Sequence, residues 1–199
     1  MKILIGCEES QEVCKAFRAK GHEAFSCDLQ PCSGGHPEWH IQGDVLDVLN
    51  DGWDFMIAHP TCTRLCNSGV MWLGKRNLWN EMYESADFFR TLLEANIKKI
   101  CIENPIPHKY AVEAFGGYGY SQIIQPWMFG HPEKKATCLW LKNLPPLLAT
   151  NNVKKEMERL PKNKQQRLHY LPPSKDRAKL RSKTYKGIAE AMANQWGSK

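Results

Sequence analysis

Phe55-Met56-Ile57-Ala58-His59-Pro60-Thr61-Cys62 is an apolar tetrad that stops abruptly on a histidine and a proline. Four apolar residues in succession, with no two-residue alternation, describe a short strand buried on both faces. Proline lacks an N–H and fixes its own φ, so ladder pairing ends near His59-Pro60. Thr61 and Cys62 then fall in the turn beyond the carboxyl end of the strand.

The same pattern recurs outward from this stretch. Lys2-Ile3-Leu4-Ile5 is an apolar run that ends at Gly6, and Val13 and Phe17 at helical spacing follow it until Gly21 closes the helix. Ala24-Phe25-Ser26-Cys27 reads as a second strand ending on Asp28, with a Pro/Gly-rich loop from Pro31 to Pro37 behind it. Downstream, Met82, Ala86, Phe89 and Leu93 fall on one helical stripe and predict an amphipathic helix from Glu81 to Ala95. Ile97 to Ile102 then enters another buried strand with Glu103 and Asn104 at its carboxyl end. Short buried strands separated by helices predict an α/β fold, a Rossmann-like, mostly parallel sheet with helices on both faces. There is no internal repeat and no low-complexity tract.

The chain has 199 residues and a formal charge of +6, unevenly placed. Twelve Lys/Arg and three Asp/Glu lie between Asn151 and Lys186, leaving fifteen and eighteen in the remainder. The expected organisation is an α/β domain over 1–150, a basic Pro-punctuated segment over 151–186, and a C-terminal helix over 187–199 that packs back on the domain. Interleaved with His169, Tyr170 and Tyr185, the basic stretch suits a phosphate backbone, although a solvated charged tail would share its composition. No apolar run is long enough to cross a bilayer, and Glu8 and Glu9 interrupt the apolar opening before it reaches signal-peptide length. Eight cysteines without an export signal are expected to be reduced thiols in the cytoplasm.

Open parallel sheets bind ligands beyond the carboxyl ends of their strands. Here those ends carry Cys7-Glu8, Asp28, Pro60-Thr61-Cys62 and Glu103-Asn104-Pro105. A thiol beside a carboxyl group that is desolvated, and so raised in pKa, has the parts for conjugate addition to a pyrimidine. The thiolate adds at C6, the acid neutralises charge at N3, and C5 becomes nucleophilic. The residues alone leave open that Cys62 is one small buried thiol among eight and Glu103 an ordinary strand-end carboxylate.

Several phrases carry a resemblance. Pro60-Thr61-Cys62 resembles the Pro-Cys nucleophile motif of DNA cytosine-C5 methyltransferases, and Glu103-Asn104-Pro105 is similar to their Glu-Asn-Val motif. Gly43-Asp44-Val45 resembles their Gly-Asp-Ile turn, and Asp28 holds the position of the residue that binds the cofactor ribose. The phrases "IQGDVLDVL", "MIAHPTCTRLCNSG", "IENPIPHKY", "IQPWMFGHPEKKATCLWLKNLPPL" and "GIAEAMANQW" look like small relatives of those enzymes that are often encoded by bacteriophages. The resemblance implies a methyltransferase-type fold and S-adenosylmethionine as cofactor. It further implies attack by Cys62 on cytosine in DNA, with Glu103, Asn104 and Lys135 also catalytic. Cys7, Glu8, Ser10, Asp28, Asp44 and Pro60 would line the cofactor site, and no metal is implied.

The departures from the family pattern are specific. Where relatives carry Phe-x-Gly-x-Gly, this chain reads Gly6-Cys7-Glu8-Glu9-Ser10-Gln11. Glu133-Lys134-Lys135-Ala136-Thr137 stands in place of Gln-x-Arg-x-Arg, so Lys135 and Thr137 are stand-ins. The separate target-recognition domain of full-size relatives is missing between Thr150 and Gly187. The altered loop leaves open a non-catalytic nucleic-acid-binding relative, and the missing domain leaves open a free pyrimidine nucleotide or RNA as substrate. Two further groupings compete for the cysteines: Cys27, Cys32, His36 and His40 have a zinc-like spacing, and Cys62 with Cys66 a redox-pair spacing. Among the tryptophans, Trp72, Trp79, Trp127 and Trp140 fit either the core or a stack on a base.

Overall fold

A computed structural model describes residues 1–197; Ser198 and Lys199, the last two of the 187–199 segment, lie outside the described residues. The strands are β1 (Lys2–Gly6), β2 (Glu23–Asp28), β3 (His40–Gln42), β4 (Phe55–Ala58), β5 (Lys99–Pro105), β6 (Gln122–Ile124) and β7 (Thr137–Lys142). They form one sheet in the order β3-β2-β1-β4-β5-β7-β6. The first five pair in parallel, while β7 runs antiparallel between β5 and β6. This is the Rossmann-like, mostly parallel α/β arrangement that the sequence led us to expect.

Parallel neighbours need crossovers, and these put helices on both faces. The helices are α1 (Glu12–Arg18), α2 (Val70–Lys75), α3 (Trp79–Glu94), α4 (Lys109–Ala114), α5 (Lys154–Arg159), α6 (Lys162–Gln165), α7 (Arg177–Ser182) and α8 (Lys186–Trp196). On one face Ile3, Ile5, Phe55, Ile57 and Leu139 pack with Val13 and Phe17 of α1 and Ile188, Met192 and Trp196 of α8. On the other, Leu4, Met56, Ile100 and Ile102 pack with Met82, Ala86 and Phe89 of α3 and Phe115 after α4. The two-residue period of the strands sends alternate side chains to the two layers.

Three expectations need adjustment. The strand expected over Ile97–Ile102 runs from Lys99 to Pro105, because antiparallel β7 continues to pair Glu103, Asn104 and Pro105 after β4 has ended. Helix α3 buries Leu92 fully and Leu93 only partly, although Leu93 lies nearer the centre of the Met82, Ala86 and Phe89 stripe: the apolar face widens at the end of the helix to include Leu92. The Pro31–Pro37 loop leaves the β2–β3 crossover with only a three-residue 3₁₀ turn, Pro37–Trp39.

Helix α8 lies against α1 and completes the first layer. Its start is pinned where the Gly187 N–H donates to His131 Nε2 at 3.0 Å, and a side chain at Gly187 would run into the Phe129 carbonyl. The basic segment folds over the loop before β7: Arg167 Nε meets Glu133 at 2.9 Å, Lys135 Nζ donates to the Arg181 carbonyl at 2.9 Å, and Lys183 pairs with Glu12 at 2.9 Å. No helix among the described residues is long and apolar enough to cross a membrane.

Phe17 is fully buried and meets the Phe55 ring edge-on at 5.7 Å, so it ties α1 to the sheet. Phe17→Ala should therefore lower unfolding free energy by ~3–5 kcal/mol in urea denaturation. A loss below ~1 kcal/mol would contradict the packing described.

Candidate active site

The register of three parallel strands builds the site. Gly6 pairs with Ala58 and Ala58 with Ile102, so the residues that follow, Cys7, His59 and Glu103, emerge level at the carboxyl rim. The His59 N–H still donates to the Gly6 carbonyl at 3.0 Å, which fixes where the chain leaves β4. His59 Nδ1 donates to Glu103 Oε2 at 2.8 Å, with both side chains nearly buried.

Burial alone would hold His59 neutral. The hydrogen bond and charge of Glu103, with the charge of Glu8, outweigh it and raise the imidazole above its ordinary pKa. Burial would likewise raise Glu103, but the His59 hydrogen bond, the charges of Lys135 and His59, and the Thr137 hydroxyl hold it below the usual carboxylate range. The expectation of an isolated, desolvated Glu103 with a raised pKa is thus corrected: it has a partner, and His59 carries the proton. A small cavity beside Glu103 is lined by Lys135, Thr137, Thr184, Tyr185 and Ile188.

Cys62 sits in a tight turn in which the Leu65 and Cys66 amides donate to its carbonyl at 3.0 and 3.1 Å. A second thiol lies within this turn. The Cys62 S–H donates to Cys66, and this bond, burial and the nearby Glu103 charge raise the Cys62 pKa. Cys66 is pulled down to about 5, chiefly by that bond, with the Ser68 hydroxyl (3.1 Å) and the Ser68 and Gly69 amides adding to it against burial. The two thiols therefore titrate as one coupled pair, with Cys62 shifted up and Cys66 shifted down by their mutual hydrogen bond.

The loop is locked from outside. The Asn67 amide donates to Ile106, the His108 amide to Leu65, and the His108 Nε2–H to the Arg64 carbonyl at 2.8 Å. Asn104 points to the other layer from Glu103; its Nδ2 donates to the Pro60 carbonyl at 3.3 Å, while its buried Oδ1 has no protein partner. Gly69 closes the turn where a Cβ would stand 2.5 Å from the Thr63 carbonyl oxygen.

A second grouping occupies the β1, β2 and β3 ends. Cys7 lies close enough to Asp28 and Asp44 that burial first, then the charges of Asp28, Cys27 and Asp44, push its thiol up to about 12. The Asp28 carboxylate accepts the Gln30 amide at 2.8 Å, and Asp44 accepts the Leu46 amide at 3.0 Å. Each keeps further acceptor capacity. Glu8 turns inward instead: its two oxygens accept the Val13 and Cys14 amides at 2.7 and 3.2 Å at the start of α1. Burial, only partly offset by His59 and those two amides, raises Glu8 to about 7. Ser10 is buried, and Cys7 and Gln11 both adopt left-handed backbone, each with φ 58°. The Gln11 side chain holds Ser26 and the backbone of His36, bringing the 33–36 loop against this turn.

The structure thus brings together Cys62, Glu103 and Lys135 in one electrostatic grouping, and Cys7, Asp28 and Asp44 in another. Glu8 and His59 link the two. The zinc-like spacing does not assemble: Cys27 Sγ donates to Gly43, His40 bonds Ser26 and Gln30, and His36 stacks on Trp39 at 3.7 Å. Sequence reasoning missed the role of His59 and the coupling of Cys66 to Cys62. A histidine ending one buried strand level with a glutamate ending the next was the available signal.

No family model and no curated protein matches the chain. Among solved structures it is similar to a DNA modification methyltransferase encoded within an E. coli prophage, with 14% identity over 80% of this chain and 55% of that one, at a TM-score of 0.45. It is similar to the Entamoeba histolytica methyltransferase EhMeth, with 13% identity over 75% of this chain and 57% of that one, TM-score 0.49. It is also similar to the S. pombe Dnmt2 methyltransferase, with 14% identity over 98% of this chain and 65% of that one, TM-score 0.44. The chain therefore spans between 55% and 65% of the length of these structures.

Glu8 gives the site a measurable signature. Because the folded state holds its proton more tightly, Glu8 contributes stability that is present below 4.5 and lost as pH rises through about 7. That loss should be on the order of 3 kcal/mol, and Glu8→Gln should flatten it. Denaturation curves of parent and variant that stay parallel across this window would contradict the buried carboxyl.

Proposed function

We propose that the chain is an S-adenosylmethionine-dependent methyltransferase that acts at cytosine C5 in DNA through a covalent adduct on Cys62. The observation that carries this reading is the turn that sets Cys62 and Cys66 together beside the buried, hydrogen-bonded His59–Glu103 pair. The first supplies a nucleophile with its own base, and the second a proton for the ring.

The residues at the β1–β3 ends fit the cofactor. Asp28 and Asp44 retain acceptors suited to ribose hydroxyls and an adenine amine, and left-handed Cys7 and Gln11 give the β1–α1 loop the turn that glycines give elsewhere. Asp28, Asp44, Cys7, Ser10 and Pro60 would hold the cofactor, while Glu8 holds the loop itself. When bound, S-adenosylmethionine supplies an electrophilic methyl group for C5.

The protein's own steps follow from the geometry. As the Cys62 sulfur bonds to C6 of the pyrimidine, its proton passes to the Cys66 thiolate. Negative charge then builds toward N3, where Glu103 is the nearest carboxyl. Its hydrogen bond from His59 lets the shared proton move onto the ring nitrogen. Lys135 and the Thr137 hydroxyl keep Glu103 charged between turnovers. Asn104 holds the Pro60 carbonyl and with it the height of Cys62 above the rim. The C5 proton then leaves to solvent water and the N3 proton returns to the His59–Glu103 pair, so that the C5–C6 double bond re-forms, the C6–S bond breaks and the departing Cys62 sulfur recovers its proton from Cys66. The basic 154–186 segment lies along the same rim and offers lysines and arginines to phosphates.

A 5-fluorocytosine substrate tests the chemistry, because fluorine blocks the final proton loss and strands the adduct. Intact-protein mass spectrometry should find the adduct on the parent and none on Cys62→Ser. Cys66→Ser should still form it, but roughly 10²-fold more slowly at neutral pH for want of the base. An adduct on Cys62→Ser, or its complete loss in Cys66→Ser, would overturn the assignment.

A further inference from the structure

The loop that carries Cys62 also carries an exposed face with no role in the chemistry above. Of the tryptophans that sequence left undecided, Trp140 is buried, Trp79 and Trp127 are half-buried, and Trp72 on α2 is 40% exposed beside an exposed Met71. The Arg76 guanidinium stands 4.4 Å from the Trp72 ring centre and Lys75 Nζ 5.6 Å from it. Across the Cys66–Pro107 bridge the pattern repeats: Ile106 and Tyr110 are exposed, and Lys109 Nζ stands 4.9 Å from the Tyr110 ring.

The charge carried by α2 and the start of α4 is positive, with Glu81 of the neighbouring α3 taken up by Arg64. No acidic residue occurs from Phe55 to Asn80, and none from Asn104 to Val112. Arg64 is engaged by Glu81 of α3 at 2.8 Å, whereas Lys75, Arg76 and Lys109 lie on rings. Exposed rings flanked by cations call for a ligand with flat apolar faces and regularly placed negative charge. An unpaired polynucleotide strand has both, while a duplex hides its base faces. The deoxy strand follows from the DNA-directed reading proposed above.

We propose that α2 and the start of α4 form a landing face for single-stranded DNA, with Trp72 stacking on an unpaired base and Lys75, Arg76 and Lys109 holding the flanking phosphates. This rests on the methyltransferase reading for its purpose, since a strand lying here runs beside the turn that carries Cys62. The binding itself is separable from the chemistry. The substrate strand is then met already opened.

Fluorescence anisotropy of a labelled oligothymidylate, titrated with the full chain, tests the proposal. Trp72→Ala should weaken binding about ten-fold or more, and Trp72→Phe should retain most of the affinity. Replacing Lys75, Arg76 and Lys109 together with Ala should flatten the log–log salt dependence by about 2, at about 0.7 per phosphate on a single strand. Trp72→Ala binding within about two-fold of the parent would overturn the proposal, as would tighter binding of duplex DNA, of the matching RNA or of thymidine monophosphate. Adduct formation on a saturating 5-fluorocytosine oligodeoxynucleotide in the presence of S-adenosylmethionine reads the other claim separately. An adduct with normal Trp72→Ala binding removes only this face, and Trp72-dependent binding without an adduct removes only the chemistry.

Discussion

Everything at the candidate site depends on the parallel register that sets Gly6, Ala58 and Ile102 side by side. Because these strands run the same way, their carboxyl ends share one edge, and the next residue of each is delivered to the same height. Had β4 slipped by one residue against β5, His59 would face the α3 layer and Glu103 would be buried alone. The register is held by the two apolar layers, so the core and the chemistry are specified by the same alternation.

The His59–Glu103 pair sits at the edge of that core, and taking two charges out of water is expensive. Buried ion pairs are weak devices for stability, and well-packed apolar residues of similar volume are often as good or better. A buried pair with His59 Nε2 left unpartnered, beside a Glu8 carboxyl that is itself raised, has its clearest rationale in proton handling. The β1–α1 loop makes a similar trade. Left-handed backbone at non-glycine Cys7 and Gln11 costs roughly 1–2 kcal/mol each. The three hydrogen bonds of the Gln11 side chain to Ser26 and His36 offset part of that.

The sequence made the architecture readable wherever a strand was a short apolar run bounded by Gly, Pro or Asp. β1, β2 and β4 were visible for that reason, as was the stripe of α3. β3 and β6 are three residues each, too short for periodicity, and the extension of β5 to Pro105 depends on β7 as a partner, which no local pattern announces. At the site, Cys62, Glu103 and Asp28 could be picked out because each lies at or just beyond the carboxyl end of a strand, and Asp44 because Gly43-Asp44-Val45 resembles a family turn. Their electrostatics could not. The low pKa of Glu103 requires His59, Lys135 and Thr137, which come from three separate parts of the chain. The inward turn of Glu8 is likewise set by the start of α1, and Trp72 was told from Trp140 only by exposure.

Titration calorimetry of the parent chain with S-adenosylmethionine tests the central claim most directly, with Asp28→Ala and Asp44→Ala beside it. Saturable binding to the parent is expected, weakened in each variant by ~1–3 kcal/mol as a hydrogen-bonded partner is lost. Absence of any binding to a folded parent would contradict the methyltransferase reading, whatever the sheet rim resembles.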